Sequence, residues 1–491
     1  MKFGKHFHKI GALLLSVILL TSLCTTAFAA EKTPNGMIDK RVSADTAFVR
    51  THVDAMDAIR TGALQLREEI NLSSFLIPAA DAKTLLSAVK SCYAELFFVG
   101  KNFSYSTTFR DGTQYIYNLF PQYEASSVSE LNNMLSAFFE KADAYLALLD
   151  DSMNDFTKAI VLHDAIVLNA EYFITKNGRQ GTPYTLMVEG WGKCEDYTRC
   201  YAYLLAQAGI KSEIVDSDSM AHEWIKIQLE GRYYEVDITW DDPTSPDRST
   251  DYPGRVSHDF FLFSDSAFTD HYDYSTVNPS ADTTYDHYYL HHMDSQLCMV
   301  NGTLYGIYSY SSGGVQIKLV AYTAANELTT VLDIGAAVGQ AEGFRAYRWS
   351  AGGNSYYLSS YANLGAYDGL LYYNMPKSIY VYDPASGVNL KLADYSNDNQ
   401  LFGMKISNGT IYGNDSENAT VSGSLIKVSA CLQIGDVNND GAVNILDATH
   451  IQRHIANFFT LVDADAMKAD FDRNGSININ DVTSIQYAIA Q

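Results

Sequence analysis

Between Gly192 and Pro243 the chain carries a cysteine, a histidine and an aspartate, each in a local setting where it can do chemistry. GKCEDYTRC holds Cys194, AHEWIKI holds His222 and YYEVDITWDDP holds Asp237. Acyl transfer by a thiolate needs such a set: a sulfur nucleophile, an imidazole to take its proton, and a carboxylate to fix the imidazole tautomer and stabilise the imidazolium. Downstream of Gly192, the residues Tyr197, Cys200, Tyr201, Leu204 and Ala208 recur at helical spacing and Gly209 supplies a stop, which predicts a helix with Cys194 in its first turn. Unpaired N–H groups and the positive end of the dipole stabilise a thiolate there, and the Cys194 N–H is placed to serve as one oxyanion donor. Gly190 and Gly192 are expected to let a substrate carbonyl approach the backbone closely. AHEWIKIQLEGRYYEVDITW alternates on both sides of Glu230-Gly231, which predicts a hairpin with a two-residue turn. In that register His222 lies opposite Thr239, and Asp237 is its diagonal neighbour on the same face, within reach of a hydrogen bond. The plainer alternatives are a buried small thiol, a satisfied strand histidine, and an aspartate that pairs with a lysine or caps Thr239. Cys200 reads as core, Trp240, Asp241 and Asp242 as support for the strand end, and His163 and Asp164 as helix packing and cap residues outside the site.

GKCEDYTRCYAYLLAQAGI, HEWIKIQLEGRYYEVDITWDDP and HDFFLFSD, with KAIVLHDAIVLNAEYF upstream, resemble the transglutaminase-like superfamily of secreted bacterial proteins, whose core is papain-like. The resemblance runs from roughly Ile70 to Asp265. It implies Cys194 as nucleophile, His222 as general base and acid, and Asp237 as the orienting carboxylate, with no cofactor for catalysis. Glu195 follows the cysteine where many relatives carry an uncharged residue.

The other end carries a second signal. DVNNDGAVNILD begins at Asp436 and DFDRNGSININD at Asp470. Oxygen donors at loop positions 1, 3, 5, 9 and 12, with glycine at position 6, suit a hard cation with six to eight ligands. The first set is Asp436, Asn438, Asp440, the carbonyl of Ala442, Asn444 through water, and Asp447. The second is Asp470, Asp472, Asn474, the carbonyl of Ser476, Asn478 and Asp481. The repeat of 34 residues continues past the loops: Thr449, Ile451, Gln452, Ile455 and Ala456 recur as Thr483, Ile485, Gln486, Ile489 and Ala490. Each copy is thus a calcium loop and a helix, and so small a segment needs its two Ca2+ ions to hold its fold. It resembles a dockerin, the module that plugs a secreted enzyme into a cohesin on a cellulosome scaffold. The resemblance implies cohesin contact at Ile445, Leu446, Ile479 and Asn480, which differ from the Ser/Thr pairs of the best-known dockerins. A calcium buffer or folding clip is the plain alternative.

Lys2, Lys5 and Lys9 precede an apolar run from Ile10 to Leu23, and Ala27-Phe28-Ala29 offers a small-x-small cleavage site, so residues 1–30 read as a secretory signal. No second apolar stretch long enough to span a bilayer follows, and the mature protein is expected to be soluble and extracellular. Removing the signal takes Cys24 and leaves Cys92, Cys194, Cys200, Cys298 and Cys431, an odd and sparse set that argues for a free thiol and against a disulfide framework. The formal charge of -23 deepens by three with the signal lysines gone, which disfavours nucleic acid and anionic membrane as partners.

Residues 31–150 read as a helical extension. VRTHVDAMDAIRTGALQL has helical spacing, Ser127 with Glu130 forms a capping box, and FSYSTTFRDGTQYIYNLF folds as a hairpin around Asp111-Gly112. Residues 151–285 hold the reactive set. Residues 286–430 are rich in Tyr, Gly and short alternating runs. NGTLYG at Asn301, GNSYYL at Gly353 and NGTIYG at Asn408 recur about every 53 residues, and SIYVYDPASGV adds a strand and turn, giving an all-β repeat region, propeller-like or a sandwich. The dockerin occupies 434–491. The expected whole is multidomain: an α+β transglutaminase-like core, a helical N-terminal extension, the β repeats and an all-α calcium module. The expected function is a secreted, cellulosome-associated cysteine enzyme acting on protein amides, a peptidase first. The alternatives are a cross-linking transglutaminase and a non-catalytic adhesin or scaffold element.

Overall fold

The computed structural model describes residues 41–42, 46–244, 252–274, 276, 278–310, 316–339, 361–397, 399–415 and 425–490. The secretory signal and the GNSYYL segment lie outside the described residues. The chain forms two compact units, residues 1–144 with 202–214 and residues 145–201 with 215–491.

In the first unit, helices α1 (Thr46–Leu64) and α2 (Ala82–Cys92) precede a long hairpin of β1 (Val99–Arg110) and β2 (Thr113–Tyr123). Its turn is at Asp111-Gly112, where both residues have positive φ (49° and 83°), the geometry a two-residue turn of matching twist demands. Helix α3 (Val128–Leu146) starts at a cap. Ser127 Oγ accepts the Glu130 N–H at 3.1 Å, whereas the Glu130 carboxylate reaches Ser126 N at 2.8 Å, one residue further back than the capping box expected. Leu131, Leu135 and Phe138 line its buried face, and Phe97 and Tyr203 pack on Phe138.

Helix α4 (Asp155–Asn169) opens on an Asn154 cap that accepts the Thr157 N–H, and it is buried along almost its whole length. Helix α5 (Cys194–Gln207) leads into β3 (Ser212–Ser217), β4 (His222–Leu229), β5 (Arg232–Val236) and β6 (Phe261–Phe263). These four strands lie in chain order in one sheet, with Arg41–Val42 parallel to the start of β3. The β4/β5 hairpin pairs Leu229 with Arg232 and Ile225 with Val236, the register that a Glu230-Gly231 turn dictates. Glu230 and Gly231 have φ of 50° and 83°.

Beyond residue 297 the described residues form three antiparallel meanders. The first is β7 (Cys298–Val300), β8 (Thr303–Tyr310), β9 (Gln316–Tyr322) and β10 (Leu328–Asp333). The second is β11 (Leu364–Tyr367), β12 (Leu370–Met375), β13 (Ser378–Tyr382) and β14 (Asn389–Asp394). The third has β15 (Met404–Ser407), β16 (Thr410–Gly413) and β17 (Ile426–Ala430). The opening turns are Asn301-Gly302, Asp368-Gly369 and Asn408-Gly409, all at positive φ. In the second of these turns an aspartate takes the left-handed role that asparagine has in the other two. Helices α6 (Ile445–Ile455), α7 (Asp463–Ala469) and α8 (Ile479–Ala490) close the chain around Val437, Ala448, Ile451, Leu461, Val482 and Ile485. Among the described residues no helix is long and apolar enough to cross a membrane, and the five cysteines there form no disulfide.

Candidate active site and calcium loops

Helix α5 begins at Cys194 itself. Lys193 caps it, its carbonyl accepting the Asp196 and Tyr197 N–H groups while its own N–H donates to Asp196 Oδ2 at 3.0 Å. The glycines before the cysteine also have an internal reason. A Cβ on Gly192 would stand 2.9 Å from Asp196 Cβ, and Gly190, at φ 75°, would place one 2.8 Å from the Asn169 carbonyl. They let the capped helix start pack. Burial pushes Asp196 up to about 6 against the pull of the Lys193 N–H. The Glu195 carboxylate is held by Lys193 at 2.8 Å and by Arg199 at 3.8 Å, so its charge is offset by two cations.

Cys194, His222 and Asp237 come together. His222 Nε2 is 2.5 Å from Asp237 Oδ2, and Cys194 lies near enough to the same imidazole to help raise its pKa. With Nε2 committed to the carboxylate, Nδ1 is the nitrogen left to the sulfur. Burial opposes charge on His222, but Asp237 and then Cys194 lift it to about 10. Burial also works against the Asp237 carboxylate, and His222 followed by His271 holds it far below the ordinary range. Asp237 Oδ1 accepts the Thr239 N–H at 3.0 Å and the Trp240 N–H at 3.1 Å. The capping reading and the histidine-pairing reading of Asp237 are thus both true, on different oxygens. Trp240 stacks on His222 with centroids 5.3 Å apart. Cys200 is in the core, where its Sγ donates to the Pro183 carbonyl.

His271 went unnoticed in the sequence. Its Nε2 lies 3.0 Å from the same Asp237 Oδ2. His163 and Asp164 are also more than packing and cap residues. His163 bridges Asp164 (2.9 Å) and Asp241 (3.2 Å), His258 Nε2 bonds Asp164 at 2.8 Å, and Asp164 Oδ2 accepts the Leu297 N–H at 2.7 Å. All four side chains are fully buried. The trios His163, Asp164, His258 and His222, Asp237, His271 each gather ligand-type atoms within 4.8 Å. In both, the ring nitrogens lie at hydrogen-bond distance from carboxylate oxygens, so imidazoles and acids serve as one another's partners.

The two C-terminal loops share most of their hydrogen bonds. Gly441 N donates to Asp436 Oδ2 as Gly475 N does to Asp470 Oδ2. Asn438 N donates to Asp447 Oδ1 as Asp472 N does to Asp481 Oδ1. Asn444 N and Asn478 N donate to the second oxygens of Asp447 and Asp481. Asp470, Asp472 and Asp481 bring carboxylate oxygens within 4.8 Å of one another, and burial followed by the charge of Asp481 pushes Asp470 upward. Such a concentration of anionic oxygens on a glycine-turned loop fits a divalent cation. Calcium bound there would supply the charge that lets these carboxylates share a loop. Ile445, Leu446, Ile479 and Asn480 are exposed at the starts of α6 and α8.

Residues 434–489 match the Dockerin type I domain, so the chain carries a dockerin. That domain implies a cohesin partner and cellulosome-type attachment. Comparison with curated proteins found no match. Two solved structures are similar in part. One, from Parabacteroides distasonis ATCC 8503 and described as a "putative protease", is 16% identical over 28% of this chain and 36% of that one, with a TM-score of 0.17. The other, from Cytophaga hutchinsonii and described as a "putative cysteine protease", is 13% identical over 29% and 63%, also at 0.17. In both cases the chain covers less than two thirds of the neighbour's length. Likeness at this level says nothing of activity.

Proposed function

We propose that the chain is a secreted thiol enzyme of transglutaminase-like type that acts on protein amides, foremost as a peptidase, and that its dockerin carries it to a cohesin scaffold. The observation behind this reading is the relay from Cys194 through His222 to Asp237 at the capped start of α5. The sulfur attacks the amide carbonyl while the Cys194 N–H receives the developing oxyanion. His222 Nδ1 gives its proton to the leaving amine, and a thioester remains on Cys194. Water then attacks the thioester, His222 takes the water's proton, and the acid and the free thiol are released. Asp237 stays ionised throughout. In this reading residues 151–285 are the catalytic core, 31–150 its extension and 286–430 a separate β-rich segment. The signal of residues 1–30 directs export, two calcium ions fill the loops, and Ile445, Leu446, Ile479 and Asn480 meet the cohesin. Hydrolysis is preferred over cross-linking because a scaffolded complex is built for degradation.

Incubating the purified chain with casein and a labelled primary amine tests the assignment. New peptide termini that vanish in Cys194→Ser support the peptidase. Amine incorporation without cleavage makes it a cross-linker, and neither product with either substrate, together with a thiol that iodoacetamide modifies no faster than the other four, leaves an adhesin.

A further inference from the structure

The carboxylate at the centre of the site has a second imidazole on it. His271 follows β6, and its Nε2 reaches Asp237 Oδ2 at 3.0 Å, the oxygen that His222 Nε2 reaches at 2.5 Å. The other oxygen already accepts the Thr239 and Trp240 N–H groups. An ionised carboxylate offers about four lone-pair sites, and here all four are filled, so Asp237 cannot turn without breaking a bond. The His271 ring is 5% exposed, stacked on Phe268 at 3.9 Å and flanked by Trp240 at 4.5 Å and the edge of Trp224 at 4.6 Å. Its Nδ1 has no hydrogen-bond partner among the described residues. The proton therefore sits on Nε2, because an N–H at Nδ1 would be buried with nothing to receive it. A phenyl ring would fill the same slot without that unmade bond. What the imidazole adds is one N–H aimed at the acid.

We infer that His271 is a positioning residue of the Cys194 centre. Its N–H pins Asp237 Oδ2 so that the remaining lone pair faces His222, which keeps His222 Nδ1 turned toward the sulfur. The inference rests on the reading of Cys194 as nucleophile.

Two variants of the full chain separate this role from simple packing. His271→Phe keeps the ring and loses the donor. His271→Gln loses the ring but keeps an amide nitrogen where Nε2 stands. Site-resolved alkylation of Cys194 by iodoacetamide at neutral pH is read beside the melting temperature. The Phe variant is expected to melt near the wild type yet alkylate roughly tenfold more slowly, and the Gln variant to melt lower yet stay within about threefold of the wild-type rate. A Phe variant alkylated at the wild-type rate overturns the inference, as does a Gln variant slowed more than the Phe one. If wild-type Cys194 reacts no faster than Cys431 and is indifferent to His222→Ala, the enzyme reading itself has failed. A fast wild type with an unaffected Phe variant removes His271 alone.

Discussion

In the proposed mechanism the proton on His222 sets the pH range in which Cys194 acts. The leaving amine needs an imidazolium, and Asp237 and Cys194, outweighing burial, hold that imidazolium up to about pH 10. The alkaline limb of kcat/KM is thus expected toward pH 10 and not near the free value of about 6.5. Asp237→Asn should draw that limb down by about a unit or more and lower kcat by roughly 10²–10⁴-fold, both read from pH–rate profiles. Cys194, His222 and Asp237 were legible in the sequence because each depends on local pattern: a glycine-led helix start, and a hairpin whose parity a two-residue turn fixes. His271 was not. It is 34 residues from the carboxylate it touches, in a loop with no periodicity to place it.

At the scale of elements, the buried square of His163, Asp164, His258 and Asp241 ties α4 to the turn after β5 and to the backbone at Leu297. Burial opposes charge on His258, yet Asp164 raises it to about 9. A histidine whose folded pKa exceeds its unfolded one stabilises fully below about pH 6.5 and loses that contribution as pH rises through the folded value. Thermal melts should therefore fall between about pH 6.5 and 9, and Asp164→Asn should flatten that slope. Asp164→Ala should cost about 3–5 kcal/mol in denaturant unfolding, since it strands buried imidazoles. These contacts bridge 78 and 94 residues, so no local reading could assemble them. The hairpin turns were readable for the opposite reason. Glu230-Gly231, Asn301-Gly302 and Asn408-Gly409 write their positive φ into two adjacent letters. Gly231→Val is expected to cost about 1–2 kcal/mol by equilibrium unfolding, because its φ of 83° strains any branched side chain.

For the whole molecule, calcium and catalysis are expected to separate. Chelation should melt the dockerin at lower temperature and abolish cohesin binding in calorimetry, while iodoacetamide modifies Cys194 at an unchanged rate. With calcium at about 100 times its Kd, a loop that binds it would gain about 2.7 kcal/mol. The dockerin was readable because its two copies repeat within 34 residues; its seat on the second meander was not, since that depends on a tertiary meeting of distant segments. Arg473, inside the second calcium loop, donates Nη2 to the Asp368 carbonyl at 2.7 Å. A Cβ on Gly475 would stand 2.8 Å from the Ala385 carbonyl, and Ile434 and Met467 share a buried cluster with Leu370 and Tyr372. Between β17 and the first loop, Leu432 N–H is anchored by the Tyr372 hydroxyl.

The calcium module is therefore fixed to the second meander by side-chain contacts. If a cohesin meets Ile445 and Leu446 as proposed, its grip also fixes the orientation of the β11–β14 sheet.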